Sequence, residues 1–151
     1  MNKGVCMNNL DSKPFFSYSI TDAERAKAFY ENVLGLTSRI IPMCPGTNIL
    51  ELTLAGDMRV MLYEKKDHVP ATFTVLNFEV PDIERYVTEL SEEGVKFEHY
   101  DESDELGIMR NDGPLISWFR DPDGNFISII QEQRMEKYSG DFLGEAPPSP
   151  S

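Results

Sequence analysis

The chain has 151 residues, 40% of them hydrophobic, which is enough to bury the core of one domain. Its 14 basic residues are outnumbered by 26 acidic ones, and the formal net charge is −12. This charge argues against nucleic acid and membrane partners, because both are bound by clustered lysine and arginine. No apolar run is long enough to span a membrane or to form a signal peptide core, so we expect a cytoplasmic protein. The two cysteines, Cys6 and Cys44, make no disulfide framework and have no zinc-ligand spacing.

The two ends of the chain differ in composition from its middle. We expect residues 1–13 to form a flexible N-terminus, and residues 133–151, which end in the sequence GDFLGEAPPSPS, to be a largely disordered tail. Residues 14–132 are expected to fold as a single domain. Within it we predict two repeats, at about 14–66 and 73–132.

The repeats are visible as two copies of one pattern. The segment FFSYSITDAERAKAFYENVLGL aligns with VLNFEVPDIERYVTELSEEGVKF at a spacing of about sixty residues. In each copy a strand ends at a helix N-cap, which is Thr21 or Asp22 in the first copy and Asp82 in the second. An amphipathic helix follows in each copy and ends at Gly35 or Gly94.

Strand candidates fill the rest of each copy. In the first copy they are residues 36–41, 48–54 and 58–64, and in the second copy they are residues 95–100, 115–120 and 126–131. Each copy is therefore predicted to be a βαβββ unit, and the chain is predicted to have an α+β fold.

The final hairpin, WFRDPDGNFISII, contains a polar residue in an apolar row. Asp-Pro and Gly-Asn predict a tight turn between its two strands. Strand alternation places Ser128 on the same face as Phe126 and Ile130. Ser128 is then either a small packing residue whose hydroxyl bonds a nearby carbonyl, or a residue that lines a cavity.

These motifs together resemble the vicinal oxygen chelate superfamily, which includes glyoxalase I, extradiol dioxygenases, fosfomycin resistance enzymes and bleomycin resistance proteins. The resemblance rests on FYENVLGL and DPDGN and covers residues 14–132. It implies two βαβββ units that form a cup-shaped mixed sheet, with a divalent metal held in the cup by four side chains in the enzymes of the family. It also implies a homodimer, with the first and fifth strands supplying the contact.

The resemblance places the four metal-ligand positions at residues that do not suit a metal. The two histidine positions, seven residues before Asp22 and Asp82, are occupied by Phe15 and Val75. The two glutamate positions are occupied by Leu62, or Tyr63 if the register differs by one, and by Ser128. Phenylalanine, valine and leucine offer no lone pair, so we predict no metal and no other cofactor.

A displaced metal site is an alternative that the sequence offers. His99 and Asp101 lie on one face of a predicted strand and are potential ligands, but two ligands bind weakly. A solvated histidine at an acidic strand end is the alternative.

Without a metal, the predicted cavity is aromatic and aliphatic with a few polar groups, which is typical of a binding site for a small, partly apolar molecule. Trp118 and Phe119 alternate across their strand, so one of them is expected to face the cavity. The ligand-binding residues that we predict are Phe15, Ser17, Leu62, Val75, Asn77, Trp118 and Ser128.

Two functions remain open from the sequence. The first is a metal-free binding protein similar to the bleomycin resistance proteins. The second is a metal-independent or atypical-metal lyase, isomerase or dioxygenase-like enzyme, but not a classical glyoxalase I. Glu79 and Glu51 are the candidates for a general base in such an enzyme, and each is otherwise an ordinary strand carboxylate.

Overall fold

A computed structural model of the chain describes residues 10–111 and 113–133. The chain divides into two compact units, Met1–Pro70 and Ala71–Ser151. The predicted flexible ends lie outside the described residues except for 10–13 and 133, which are exposed and belong to no helix or strand. None of the helices in the described ranges is long and apolar enough to cross a membrane.

The first unit has the predicted order of one strand, one helix and three strands. Its four-stranded sheet has the order β1-β4-β3-β2, in which β1 runs parallel to β4 and the other neighbours are antiparallel. The elements are β1 (Phe16–Ile20), α1 (Ala23–Lys27), a π-helical segment (Ala28–Val33), β2 (Thr37–Met43), β3 (Thr47–Thr53), a short 3₁₀ turn (Ala55–Asp57) and β4 (Arg59–Glu64).

The second unit has a three-stranded sheet of order β5-β7-β6, in which β5 is parallel to β7 and β6 is antiparallel to it. Its elements are β5 (Thr74–Val80), α2 (Ile83–Glu92), β6 (Ile116–Arg120) and β7 (Phe126–Gln131). Two mixed sheets with few helices confirm the predicted α+β class.

The helix starts and stops follow the predicted capping residues. Asp22 and Asp82 are the N-caps, because the Oδ1 atom of each accepts the backbone N–H three residues further on, at 3.1 and 3.3 Å. Gly35 and Gly94 follow the helical segments with φ of 73° and 98°, the left-handed conformation that favours glycine. The first helix differs from the prediction in one respect: it widens into π-helical geometry at Ala28–Val33.

The predicted strand at residues 95–100 is wrong. Only one isolated bridge forms there, between Phe97 and Phe119, together with a hydrogen bond from the Glu98 N–H to the Trp118 carbonyl at 2.8 Å. The chain leaves β6 at Tyr100, where the Ser103 N–H and hydroxyl both donate to the Tyr100 carbonyl. This turn leaves the segment too short to form a ladder, so the second unit is βαββ with a bridge.

The core of the first unit lies between α1 and one face of its sheet. Leu62 is fully buried and pairs across strands with Tyr18 and Leu50, which are also buried. The Tyr18 hydroxyl is hydrogen-bonded to the hydroxyl of Tyr30 from the π-helical segment at 2.8 Å. Leu62 is therefore a core residue beneath the helix.

In the second unit, α2 packs on the sheet face that carries Ile127 and Phe119. Ile83 and Val87 of the helix are fully buried, and the Ile83 N–H donates to the Gln131 side chain at 3.1 Å. Phe119 is 1% exposed and meets the ring of Phe97 edge-on at 5.4 Å. Trp118, the next residue back along β6, must therefore point to the opposite face.

The predicted tight turn between β6 and β7 is built around Asp121. Its Oδ1 atom accepts the N–H groups of Asp123 and Asn125 at 2.9 and 2.8 Å, and its own N–H donates to the Asn125 carbonyl at 2.9 Å. The Asn125 side chain completes the turn by donating to Asp121 Oδ2 at 3.1 Å. These side-chain bonds to the backbone are the physical reason for the DPDGN motif.

Candidate functional site

The sheet of the second unit has one face opposite α2, which we call the second open face. Cross-strand register arranges its residues in three rows. The central row, from β5 through β7 to β6, is Asn77, Ser128 and Trp118. Three predicted ligand-binding residues are thus adjacent on this face. The flanking rows are Thr74, Phe126 and Arg120 on one side and Glu79, Ile130 and Ile116 on the other.

Ser128 is fully buried, and its hydroxyl has a partner on the neighbouring strand. It donates to Asn77 Oδ1 at 2.5 Å. Since the Asn77 side chain is otherwise exposed and its carbonyl oxygen is occupied by Ser128, its two amide hydrogens are left to donate outward. Ser128 therefore fixes the orientation of Asn77, and Asn77 presents the polar group to the open face.

Aromatic side chains form a groove at one end of this face. The groove has a volume of about 210 Å³ and is lined by Thr72, Phe73, Thr74, Tyr100, Trp118 and Phe126. Trp118 Nε1 donates to Thr74 Oγ1 at 3.1 Å, which uses the only polar atom of the indole and leaves its ring for apolar contact. Tyr100 meets the Trp118 ring edge-on at 5.8 Å. Of the pair Trp118 and Phe119, Trp118 is the residue on the open face.

The other two predicted residues of this unit, Val75 and Glu79, lie outside the central row. Val75 is partly buried and lies at a β-bulge in β5. At this bulge the register moves by two residues along β5 but by only one along β7. Glu79 is exposed on the second open face and has no hydrogen bond or ion pair within the part of the chain that the structure describes.

The sheet of the first unit also has a face opposite its helix, the first open face. Ser17 is exposed on it, and Phe15, just before β1, is 53% exposed and lies with its ring 5.5 Å from the Arg59 guanidinium carbon. The prediction that Leu62 shares this face is wrong, because alternation along β4 turns Leu62 into the core. Its neighbour Tyr63, 38% exposed, occupies the open face instead.

The first open face carries an ion-pair cluster at its centre. Glu51 is 6% exposed and accepts a hydrogen bond from Arg39 Nε at 2.5 Å, and Arg59 approaches its other oxygen at 3.8 Å. The bond to Glu51 raises the pKa of the Arg39 guanidinium above its ordinary value. The two arginines thus engage both oxygens of Glu51, Arg39 by a hydrogen bond and Arg59 by a longer ion pair.

The residues at the four family metal-ligand positions do not fit a divalent ion. Phe15 and Val75 have no donor atom, Leu62 is in the core, and the Ser128 hydroxyl is committed to Asn77. His99, the displaced candidate, is exposed, and no group of three or more potential ligands occurs in residues 10–111 and 113–133.

Several residues of these two faces were not singled out from the sequence. Phe73 and Tyr100 lie in loops, where strand alternation gives no signal about direction. Arg39 and Arg59 lie on strands, but they meet Glu51 only through the pairing register of β2, β3 and β4. A sequence signal was available for Phe126 and Ile130, since each is two residues from Ser128 on the same strand.

Comparison with known proteins places these observations in a family. The model of the Glyoxalase/Bleomycin resistance protein/Dioxygenase superfamily matches residues 15–129. No curated protein matches the chain.

Solved structures share the fold. TnmS3, an antibiotic binding protein from Streptomyces sp. CB03234, is 23% identical with a TM-score of 0.63, over 83% of this chain and 100% of its own. A glyoxalase/bleomycin resistance protein from the same organism is 26% identical with a TM-score of 0.59, over 80% of this chain and 100% of its own. The fosfomycin resistance protein FosX from Listeria monocytogenes is 13% identical with a TM-score of 0.62, over 85% of this chain and 99% of its own. The predicted glyoxalase-like fold is confirmed, and the chain belongs to the Glyoxalase/Bleomycin resistance protein/Dioxygenase superfamily.

Proposed function

We propose that the protein is a cytoplasmic binding protein that holds a small aromatic molecule in the groove of the second unit without a metal ion. The observation that carries the proposal is the aromatic groove next to the Asn77–Ser128 pair on one sheet face. Aromatic walls supply dispersion and apolar burial, and a fixed amide supplies one directional bond, which is the usual composition of a small-molecule site.

The size of the groove limits the ligand. A cavity of about 150 Å³ is large enough to hold benzene. The groove of about 210 Å³ therefore suits a system of one or two rings, or the aromatic end of a larger molecule. The name of TnmS3, an antibiotic binding protein, supports a small-molecule ligand.

The contacts of the two candidate general bases, Glu51 and Glu79, favour a binding function over catalysis. Glu51 is engaged by Arg39 and Arg59. Glu79 is exposed and has no hydrogen bond or ion pair among the described residues that would hold it in position against a substrate.

The proposal is tested by the fluorescence of Trp118, the only tryptophan of the chain. Titration with one-ring and two-ring compounds that carry a hydrogen-bond acceptor should change the emission saturably. Ser128→Ala should weaken this binding by about 0.5–1.5 kcal/mol, because Asn77 loses the bond that orients its amide. The fold should survive, since the substitution removes one small hydroxyl.

Ser117→Ala is the matched control. Ser117 is also fully buried, but it lies on the opposite face of β6, where its hydroxyl donates to the Gly107 carbonyl at 3.0 Å. It should leave ligand affinity unchanged. If no compound perturbs Trp118, or if the two variants weaken binding equally, the groove is not the ligand site and Ser128 is a packing residue.

We further propose that the protein forms a homodimer through β1 and β5. Both are edge strands of their sheets, and edge strands carry unpaired backbone groups that favour pairing with another chain. Phe16 on β1 is 56% exposed, and Phe73 just before β5 is 68% exposed. Large apolar side chains at such edges are typical of an interface.

Sedimentation velocity at micromolar concentration should therefore give a particle of twice the chain mass of 17.2 kDa. Phe16→Lys should shift it to the monomer, because a charge replaces an apolar contact. Tyr86→Lys, a change of the same kind at a residue of α2 that is 37% exposed, should not. A monomer in the unmodified protein would refute the proposal.

A further inference from the structure

The first open face holds a cluster of net positive charge in a chain whose net charge is −12. The cluster consists of Arg39, Glu51 and Arg59, brought together by the register of three neighbouring strands. Glu51 sits between the two arginines and neutralises one of them. Since Arg39 makes the hydrogen bond to Glu51, the uncompensated positive charge belongs to Arg59.

Arg59 has unused hydrogen-bond donors. Its Nε is buried and has no partner among the described residues. Its Nη1 is 3.8 Å from Glu51, close enough for electrostatic attraction but too far for a hydrogen bond. Because a buried donor without an acceptor is costly, the unpartnered Nε of Arg59 calls for an explanation.

The surroundings of Arg59 indicate the chemistry of a missing acceptor. The Arg59 side chain as a whole is one-third exposed, so it can be approached from the open face. The ring of Phe15 lies at 5.5 Å, which gives an apolar, aromatic surface beside the charge. A guanidinium offers two parallel N–H groups that match the two oxygens of a carboxylate.

We propose that Arg59 binds the carboxylate of an aromatic monoanion on the first open face, with Phe15 contacting the ring. A monoanion is favoured over a dianion such as phosphate, because Glu51 next to Arg59 repels a second negative charge. The proposal uses residues of the first unit alone and does not depend on the aromatic groove of the second.

The probe is para-fluorobenzoate, followed by fluorine NMR at millimolar concentration, with uncharged para-fluorobenzamide as the matched ligand. The benzoate should show saturable binding, and the benzamide should bind at least tenfold more weakly because it lacks the charge that pairs with Arg59. Equal binding of the two compounds would overturn the proposal.

Three variants locate the site. Arg59→Gln should weaken benzoate binding at least tenfold, whereas Lys65→Gln, which makes the same charge change at an exposed pair with Asp67, should change it less than twofold. Arg59→Lys keeps the charge but loses the paired donors, so its affinity should fall between those of the unmodified protein and Arg59→Gln.

One further variant, Glu51→Gln, is expected to bind benzoate more tightly, and loss of folding cannot produce that result. Glu51→Gln removes the carboxylate that competes for Arg59, so benzoate affinity should rise. If benzoate binding is instead lost in Ser128→Ala and retained in Arg59→Gln, the anion occupies the groove of the second unit and the inference about Arg59 is wrong.

Discussion

Ser128→Glu should destabilise the protein by about 3–5 kcal/mol at neutral pH, the range observed when a buried charge loses its partner. Ser128 is fully buried, and its hydroxyl donates to an uncharged amide oxygen on Asn77. A carboxylate there would meet the Asn77 oxygen, and no cation is paired to this position among the residues that the structure describes. The measurement is the free energy of unfolding from urea denaturation, in the variant and in the unmodified protein.

Ser128→Gln separates charge from size. Glutamine has nearly the same volume as glutamate but carries no charge. Ser128→Gln should therefore lose only the folding stability that overpacking costs, about 1–3 kcal/mol. Burial raises the pKa of an introduced carboxyl above its unfolded value, so the penalty for glutamate should grow as pH rises through the unfolded pKa. It should shrink toward the glutamine value in acid. A difference between the two variants that does not change with pH would contradict the burial of an unpaired charge.

The same variant tests the metal prediction. Glutamate at residue 128 supplies one family ligand, but Phe15 and Val75 still have no donor atom, and Leu62 remains in the core. Elemental analysis after dialysis should therefore find no stoichiometric nickel, zinc, iron or manganese in either the unmodified protein or Ser128→Glu. About one metal ion per chain in either would show that other residues bind it.

Phe119→Ala should cost about 3–5 kcal/mol of folding stability, as large-to-small changes of buried aromatic residues do. Phe119 is 1% exposed and packs edge-on against Phe97, so its removal leaves a cavity in the core of the second unit. This loss is a large part of the 5–15 kcal/mol that stabilises a typical domain. Chemical denaturation should show a lower midpoint with an unchanged slope.

Trp118→Ala is the control, because it changes the adjacent residue on the opposite face. It removes a partly buried ring that lines the groove, so it should reduce aromatic ligand binding more than stability. Binding must then be followed by calorimetry, since the variant has no tryptophan. If Trp118→Ala destabilises as much as Phe119→Ala, Trp118 is a core residue and not a wall of a ligand site.

Local signals in the sequence predicted most of the fold. Asp22 and Asp82 were identified as possible caps because a short acidic side chain before an amphipathic pattern has few other structural roles. The strand at 126–131 was predicted with its bounds, since a tight-turn motif fixes its start. The bridge at Phe97 was predicted as a longer strand, because its alternation continues past the point where the Tyr100–Ser103 turn takes the chain away.

The candidate site was harder to predict because it depends on register. A single step along β4 decides whether Leu62 or Tyr63 faces the open side, and a run of mixed apolar and aromatic residues gives no means to choose. The Arg39–Glu51–Arg59 cluster joins three strands through cross-strand pairing, which no pattern within one strand encodes. Asn77 and Ser128 were both predicted to face the cavity, but the hydrogen bond between them follows from the pairing of β5 with β7.

The β-bulge in β5 affects how the role of a residue in a related protein can be assigned to a position of this strand. The extra residue at Val75 shifts the phase of the strand, so Thr74 and Asn77, three positions apart, both face the groove side of the sheet. Counting by twos back from Asn77 would assign that direction to Val75 instead of Thr74. The position that corresponds to a metal-binding histidine in the family is therefore the extra residue itself. A role carried over to residue 75 by counting along β5 therefore depends on this backbone irregularity as well as on the side chain that stands there.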